Sequence, residues 1–319
     1  MLSLLKNEWI KLWTKKQPWI FVGLIIVFTL LFTLMYYSFE ANTALDSDEW
    51  QMQLEQEIEQ EREILQSEDA SEWEKDFAEM IIEENTAYLE GGINPRQFNN
   101  LIYMNDTLLG VASFITLFSV IVASSIVSSE MNTGTIKQLV IRPYERWQFL
   151  VSKFITVVLF SIVLIVTLFV TNYILGLILF DTASWNTAMI ERSFEGAMVE
   201  TTAANLIFSK IGLYTLNMLV FVVISFSLST LFRSQALAVG VGIFALFATT
   251  MSQALNFLLA DTAWYKFVII PHLSLTEYVV HDTIIEGVTL PFSLAVLAVY
   301  VIILLGLATV YFQKKDIAY

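Results

Sequence analysis

Long apolar blocks alternate with polar joints along this chain, and each block is near 20 residues long. The apolar runs cover residues 18–39, 108–128, 154–180, 213–232, 236–259 and 291–312. An α-helix rises 1.5 Å per residue, so about 20 apolar residues cross a hydrocarbon core of about 30 Å. Six transmembrane helices are therefore predicted. Lipid offers the backbone no hydrogen-bond partners, which makes helices the natural spanning form. The expected fold is all-α and polytopic.

The joints carry patterns of their own. In residues 1–17, Leu2, Leu5, Trp9, Leu12 and Trp13 share one helical face, with Lys11 and Lys15 away from it. This predicts an amphipathic helix in the inner interface, or more simply a basic flank that orients the first span. That span follows a tryptophan-bearing leader, has an apolar core longer than a signal sequence needs, and shows no small-x-small cleavage site, so it is expected to be retained. Residues 40–107 are too polar for lipid. Trp50, Leu54, Ile58 and Leu65 form one stripe among glutamates, and Trp73, Phe77, Met80, Ile81 and Tyr88 form another. The second opens with a Ser71-x-x-Glu74 capping box and closes at Gly91-Gly92. Two amphipathic helices in an extracellular hairpin are expected, although so much glutamate is also a signature of disorder. Residues 181–212 read as a second outer connection. Residues 260–290 are apolar but broken by Pro271 and dotted with charge, which predicts short or re-entrant outer helices.

Composition sharpens this picture. The chain of 319 residues is 56% hydrophobic and 15% charged, with mean hydropathy +0.64, which excludes an ordinary soluble domain. Its net charge of −14 is local: residues 40–107 hold 19 acidic and 3 basic residues, and the remainder is close to neutral. With the N-terminus inside, the inner joints carry Lys6, Lys11, Lys15, Lys16, Lys137, Arg142, Arg146, Lys153, Arg233, Lys314 and Lys315. The longer outer joints hold only six basic residues. This bias places both termini, and joints 129–153 and 313–319, in the cytoplasm. Cysteine is absent, which removes disulfides and thiolate metal sites.

Chemistry-bearing motifs are few. No GxxxxGK[ST] phosphate loop occurs, nor HExxH, GxSxG or CxxC. His272 and His281 have no characteristic ligand spacing. No catalytic residue, metal or cofactor is expected on this chain, and no nucleic-acid partner. Asn172, Asn217, Gln253 and Asn256 fall inside the drawn spans and either line a solute path or hydrogen-bond between helices. The second span is rich in serine and threonine (Ser113, Thr116, Ser119, Ser124, Ser125, Ser128), which permits close helix approach. Gly240 and Gly242 serve close contact or flexibility. No Asp, Glu, Lys or Arg lies within the spans as drawn, which disfavours an ion-coupled secondary transporter.

The inner joint SEMNTGTIKQLVIRPYERWQFLVS, residues 129–152, is the most distinctive part. A short basic helix is predicted from near Asn132 or Thr133 through Ile141, stopped by Pro143, with a second starting near Tyr144. Such an element could pass force from a soluble partner to the spans, or be a turn that keeps basic residues inside. The order Glu130, Gly134-Thr135, Pro143-x-x-Arg146, Lys153, with Phe312-x-x-Lys315-Asp316-Ile317 at the end, resembles permease subunits of ABC-2-type transporters. The resemblance implies a bacterial plasma-membrane exporter with two permease chains, identical or related, and separate ATP-binding subunits that hold ATP and Mg. Glu130, Asn132, Gly134, Thr135, Lys137, Arg142, Pro143 and Arg146 would then form the ATPase-coupling element. The implied substrate is amphiphilic, such as a peptide antibiotic, drug or lipid-like molecule, with sodium or another cation as the alternative. A membrane sensor or assembly protein working through the outer hairpin is the rival from another class.

Overall fold

The structure is a computed structural model of the whole chain, and it describes all residues except 44–49, 68, 96–97, 133–143, 193–197, 233, 261 and 315–319. Helix α1 spans Leu2–Trp13, α2 Lys16–Thr43, α3 Trp50–Gln66, α4 Glu72–Gly91, α5 Asn100–Asn132 and α6 Arg146–Leu179. A β-hairpin follows, β1 Ala188–Arg192 and β2 Met198–Thr202, then α7 Ala203–Phe232, α8 Gln235–Thr250 and α9 Ser252–Leu259. Three 3-10 turns, Tyr265–Phe267, Ile270–Leu273 and Leu275–Val279, precede α10, Leu290–Lys314.

Five of these helices, α2, α5, α6, α7 and α10, are long and apolar enough to cross a membrane. The chain is a mostly helical, polytopic membrane protein. The sixth drawn span, 236–259, is not one continuous helix. It is interrupted at Met251 (φ −91°, ψ −5°) into α8 and α9. Beside the break the Thr249 hydroxyl donates to the Leu246 carbonyl at 2.6 Å, a side-chain bond that often bends a helix. The all-α expectation is corrected as well, because Ala188 to Arg192 pair antiparallel with Thr202 to Met198.

Helix α5 is the hub, packing on α2, α6, α7 and α8. Of its most apolar stretch 61% is buried, against 22% for α2 and 17% for α10. Leu31, Leu34 and Met35 on α2 and Ile302, Ile303 and Leu307 on α10 stay exposed. So much bare apolar surface marks faces for lipid or another chain. Small residues bring the inner helices together: Ser119, Ser124 and Ser128 are fully buried, and the Ser229 hydroxyl of α7 donates to the Ser124 carbonyl. Gly242 of α8 is a contact glycine, since a Cβ there would lie 2.5 Å from Ser225 Oγ and Val120 Cγ1. Gly240 meets nothing within 4 Å.

Several helices outrun their apolar runs. Asn99 starts α5 early, its Oδ1 accepting from the Leu101 and Ile102 amides at 3.0 Å. The polar insert forms the antiparallel pair α3 and α4, with Leu54, Ile58 and Ala78 buried. Ser71 and Glu74 make the capping box, and Gly92 closes α4 in the left-handed region at φ 60°. Trp73 and Phe77 stack on each other at 5.5 Å but remain exposed, so the aromatic stripe is not simply the hairpin interface. Burial and the adjacent Glu84 push the Tyr88 hydroxyl up to about 12.

Candidate functional site

Two polar assemblies stand out, one at an end of the bundle and one inside it. The first gathers charges that are distant in sequence. Lys153 of α6 donates to Glu8 of α1 at 2.6 Å and pairs with Glu130 of α5 at 2.8 Å, and Lys11 of α1 also donates to Glu130. Side-chain exposure is 2% for Lys153, 8% for Glu8 and 6% for Glu130. The helix dipole disfavours a carboxylate near the C-terminal end of α5, so the two lysines offset both that and the loss of water around Glu130.

The helix packing explains how these residues meet. Leu4, Glu8 and Leu12 form the buried face of α1, against α6. The predicted face overlaps this one in part: Leu12 is buried and Trp9 and Trp13 pack against the core, but Leu2 is 84% exposed. Glu8 escaped the sequence reading, although its place between Leu4 and Leu12 at four-residue spacing was a usable signal. Glu130 and Lys153 lay just beyond the drawn spans, whereas both sit inside continuous helices. Asp106 and Lys210 do likewise at the other end.

The clasp closes the base of the 129–152 joint and binds it to α1. Residues Gly134, Thr135, Lys137, Arg142 and Pro143 lie outside the described residues. Asn132 is the last residue of α5. Arg146 opens α6, where Glu145 and Gln148 form a reciprocal cap, and its guanidinium donates to the Gln313 carbonyl of α10 at 3.3 Å. Ser3 and Tyr144 are hydrogen-bonded at 3.1 Å. Helix α1, the start of α6 and the end of α10 therefore share one end of the bundle.

The second assembly is a cavity of about 330 Å³ between α5, α7, α8, α9 and the 3-10 turns. Asn217 and Asn256 both line it, with Ser113, Thr116, Tyr214 and Glu277 among their neighbours. Asn217 donates to the Leu273 carbonyl at 2.6 Å, and Asn256 accepts from Tyr265 at 2.8 Å. Asn172 goes elsewhere. It is fully buried between α5 and α6, where it donates to Thr107 at 3.1 Å, so it ties two helices. The side chain of Gln253 lies outside the described residues.

Behind the cavity wall, His272 and Ser293 are fully buried. His272 Nε2 lies 2.9 Å from the Lys266 carbonyl, which can only accept, so Nε2 carries the proton and Nδ1 accepts from Ser293 Oγ at 2.7 Å. Burial lowers the imidazole pKa, against the carbonyl bond that raises it. No group of three or more His, Cys, Asp or Glu fit to hold a metal occurs among the described residues.

A family described as "Protein of unknown function (DUF2705)" matches residues 75–318. The chain belongs to this family. The match takes in the cavity, Glu130 and Lys153, while Glu8 and Lys11 precede it. Across its whole length the chain is 35% identical over 321 residues to the full length of "Uncharacterized protein YhcI" of Bacillus subtilis (strain 168). It is 29% identical over 201 residues to "Uncharacterized membrane protein YdbK" of the same organism, covering 62% of this chain and 76% of that one. No solved structure matches.

Proposed function

We propose that this member of the family is the membrane half of an ATP-driven exporter of the ABC-2 kind, moving an amphiphilic substrate out of a bacterial cell. The observation that carries the reading is the clasp. One ion cluster, buried at Lys153, Glu8 and Glu130 and half-exposed at Lys11, joins α1 to both ends of the joint that resembles a coupling element. A push on that joint cannot move α5 and α6 without engaging Lys153 and therefore α1. An ATP-binding subunit, with its ATP and Mg, would seat against residues 132–146 and bias two packings of the bundle. Two permease chains, identical or related, would complete the assembly, with the exposed apolar faces covered by lipid or by the second chain.

The shared end of α1 and α10 supports an even number of crossings. We read α8 and α9 together as the sixth, with both termini cytoplasmic and with α3, α4 and the 3-10 turns outside. The Bacillus relatives fit a cell-membrane location. The cavity supplies a polar stop along a solute path, and Asn217 and Asn256 support that use.

The test is purification from the native host in mild detergent. An ATP-binding subunit is expected to copurify and its hydrolysis to depend on this chain. Arg142→Glu with Arg146→Glu is expected to abolish that stimulation while the protein stays folded; normal coupling in the double variant removes the assignment. The exposed Trp73–Phe77 pair favours a second reading, a sensor or assembly protein working through the hairpin. It predicts no stable ATPase partner and complete loss of function on deleting residues 46–90. Loss of cation-dependent phenotypes alone in that deletion would instead favour cation efflux.

A further inference from the structure

A second hollow, of about 620 Å³, opens between β2, the first half of α7, the third 3-10 turn and the start of α10. Its floor is one face of α7. Asn205, Ser209, Gly212, Leu213 and Leu216 follow one another at helical spacing down that face. The face is graded, with an amide and a hydroxyl toward the β-hairpin and leucines where the apolar run 213–232 begins. Asn205, Gly212 and Leu216 are exposed, and a Cβ on Gly212 would meet nothing within 4 Å. Among the described residues no charged side chain lines the hollow. Val199 and Thr201 reach it from β2, while strand alternation turns Glu200 to the other side, beside Gly91 of α4. Lys210 of α7 is buried and engaged by Glu191. At the polar end the Asn205 amide donates to Thr201 Oγ1 at 2.8 Å, and Ser209 Oγ donates to Asn205 Oδ1 at 3.5 Å. Each bond uses one of two sites on its amide atom, so a donor and an acceptor remain on an exposed residue.

We propose that this groove holds one glycerolipid of the leaflet opposite α1, with an uncharged, hydroxyl-bearing head and one acyl chain in the hollow. The head exchanges hydrogen bonds with Asn205 and Ser209, and the chain runs over Gly212, Leu213 and Leu216 against Leu290. A charged head finds no opposite charge to replace its water and is disfavoured. The size selects the occupant. A volume of about 620 Å³ equals about twenty waters at about 30 Å³ each, and a methylene is about as large, so one acyl chain fits and two do not. A helix of a second copy, about 10 Å wide and laid along the about 16 Å from Asn205 to Leu216, needs about twice that space. The inference rests on the groove alone and not on the coupling to an ATPase.

The experiment photolabels the purified full-length chain in lipid nanodiscs with a diazirine-bearing monoacylglycerol and maps the labelled peptides by mass spectrometry. Label is expected to concentrate on residues 199–216 and 278–290. Monooleoylglycerol should displace it at about tenfold or more lower concentration than oleyl phosphate or oleyltrimethylammonium, which carry the same chain on charged heads. Gly212→Leu fills the groove without displacing a neighbour and should cut the labelling about tenfold or more, with the unfolding midpoint kept. Gly306→Leu, a glycine of α10 that also has open space beside it, is the control and should change nothing. Asn205→Leu should weaken displacement by monooleoylglycerol about threefold to tenfold. Label spread evenly over the exposed faces of α2 and α10 identifies bulk lipid and overturns the proposal. Equal displacement by the three heads overturns it, as does unchanged labelling in Gly212→Leu. The chain has no cysteine, so oxidation of Gly212→Cys to a disulfide-linked dimer in place of lipid labelling identifies a second copy and overturns it too. Copurification of an ATP-binding subunit is scored in the same preparations, and its absence with labelling intact removes only the coupling reading.

Discussion

Both ends of the bundle carry ion pairs, and they are built differently. At the end that holds α1, Lys153 is 2% exposed and shared between two carboxylates that are themselves below 10%. At the opposite end Lys210 pairs with Glu191 at 2.5 Å with exposures of 9% and 21%, and Arg192 meets Glu84 with 15% and 33%. Asn105 adds a bond to Glu191 at 2.9 Å, and Tyr36 donates to Asp106 at 3.0 Å. This second set links α4, the β-hairpin, α5 and α7 around a buried Lys210, through carboxylates that water can reach. A dry cluster must stay complete, because removing one member strands a buried charge, whereas a wet one can lose a member and resolvate. The first behaves as a latch and the second as a docking pad for the acidic hairpin.

The largest effect should come from Lys153→Met, which leaves the buried Glu8 without its cation and Glu130 with Lys11 alone. A loss of about 3–5 kcal/mol is expected, read as the unfolding midpoint in mild detergent. The triple change with Glu8→Gln and Glu130→Gln should recover much of that loss while leaving any ATPase coupling broken. A triple variant no more stable than Lys153→Met would mean that charge burial is not the cause.

At the other end, Lys210→Met should cost about 1–3 kcal/mol, since Glu191 keeps Asn105 and some water. If it matched Lys153→Met, the contrast between dry and wet ends would be lost. Smaller again, Arg192→Ala should cost up to about 1 kcal/mol, and raising salt should shrink it while leaving the Lys153 effect in place. Its clearest signature should be faster hydrogen exchange in α3 and α4 with the membrane helices unchanged.

The smallest expected effect is a pH response near the 3-10 turns. Burial holds the His272 pKa below its usual value, so the neutral ring contributes stability that is complete above about pH 6.5 and falls as pH drops through the folded-state value. Intrinsic-rate-corrected exchange across residues 265–293 should therefore rise between pH 7.5 and 5, and His272→Gln should flatten the response. A wild-type profile without slope would exclude His272 as its source.

Much of the fold could be read before any coordinates, and the reason is local. Hydropathy over 20 residues depends only on those residues, so all five long helices were legible. The same holds for the Ser71 capping box and the Gly92 stop. The interruption at Met251 was not, because no proline or glycine marks it and a threonine bond to the preceding turn is locally weak. The β-hairpin was missed because five-residue strands beside long helices carry little periodicity.

The site divides along the same line. From sequence, Asn172 and Asn217 are the same object, an amide in an apolar run. Only the packing of α5 against α6 sends one to Thr107, and only the 3-10 layer sends the other into a chamber. Glu130 stood out through its neighbours in the joint, yet its partner Lys11 lies more than a hundred residues away. By itself the chain determined that it threads a bilayer and where its charge is concentrated, since both follow from the solvation of consecutive residues. Which polar groups meet was decided by tertiary structure alone, because a buried charge or amide takes its partner from whatever helix face is packed beside it.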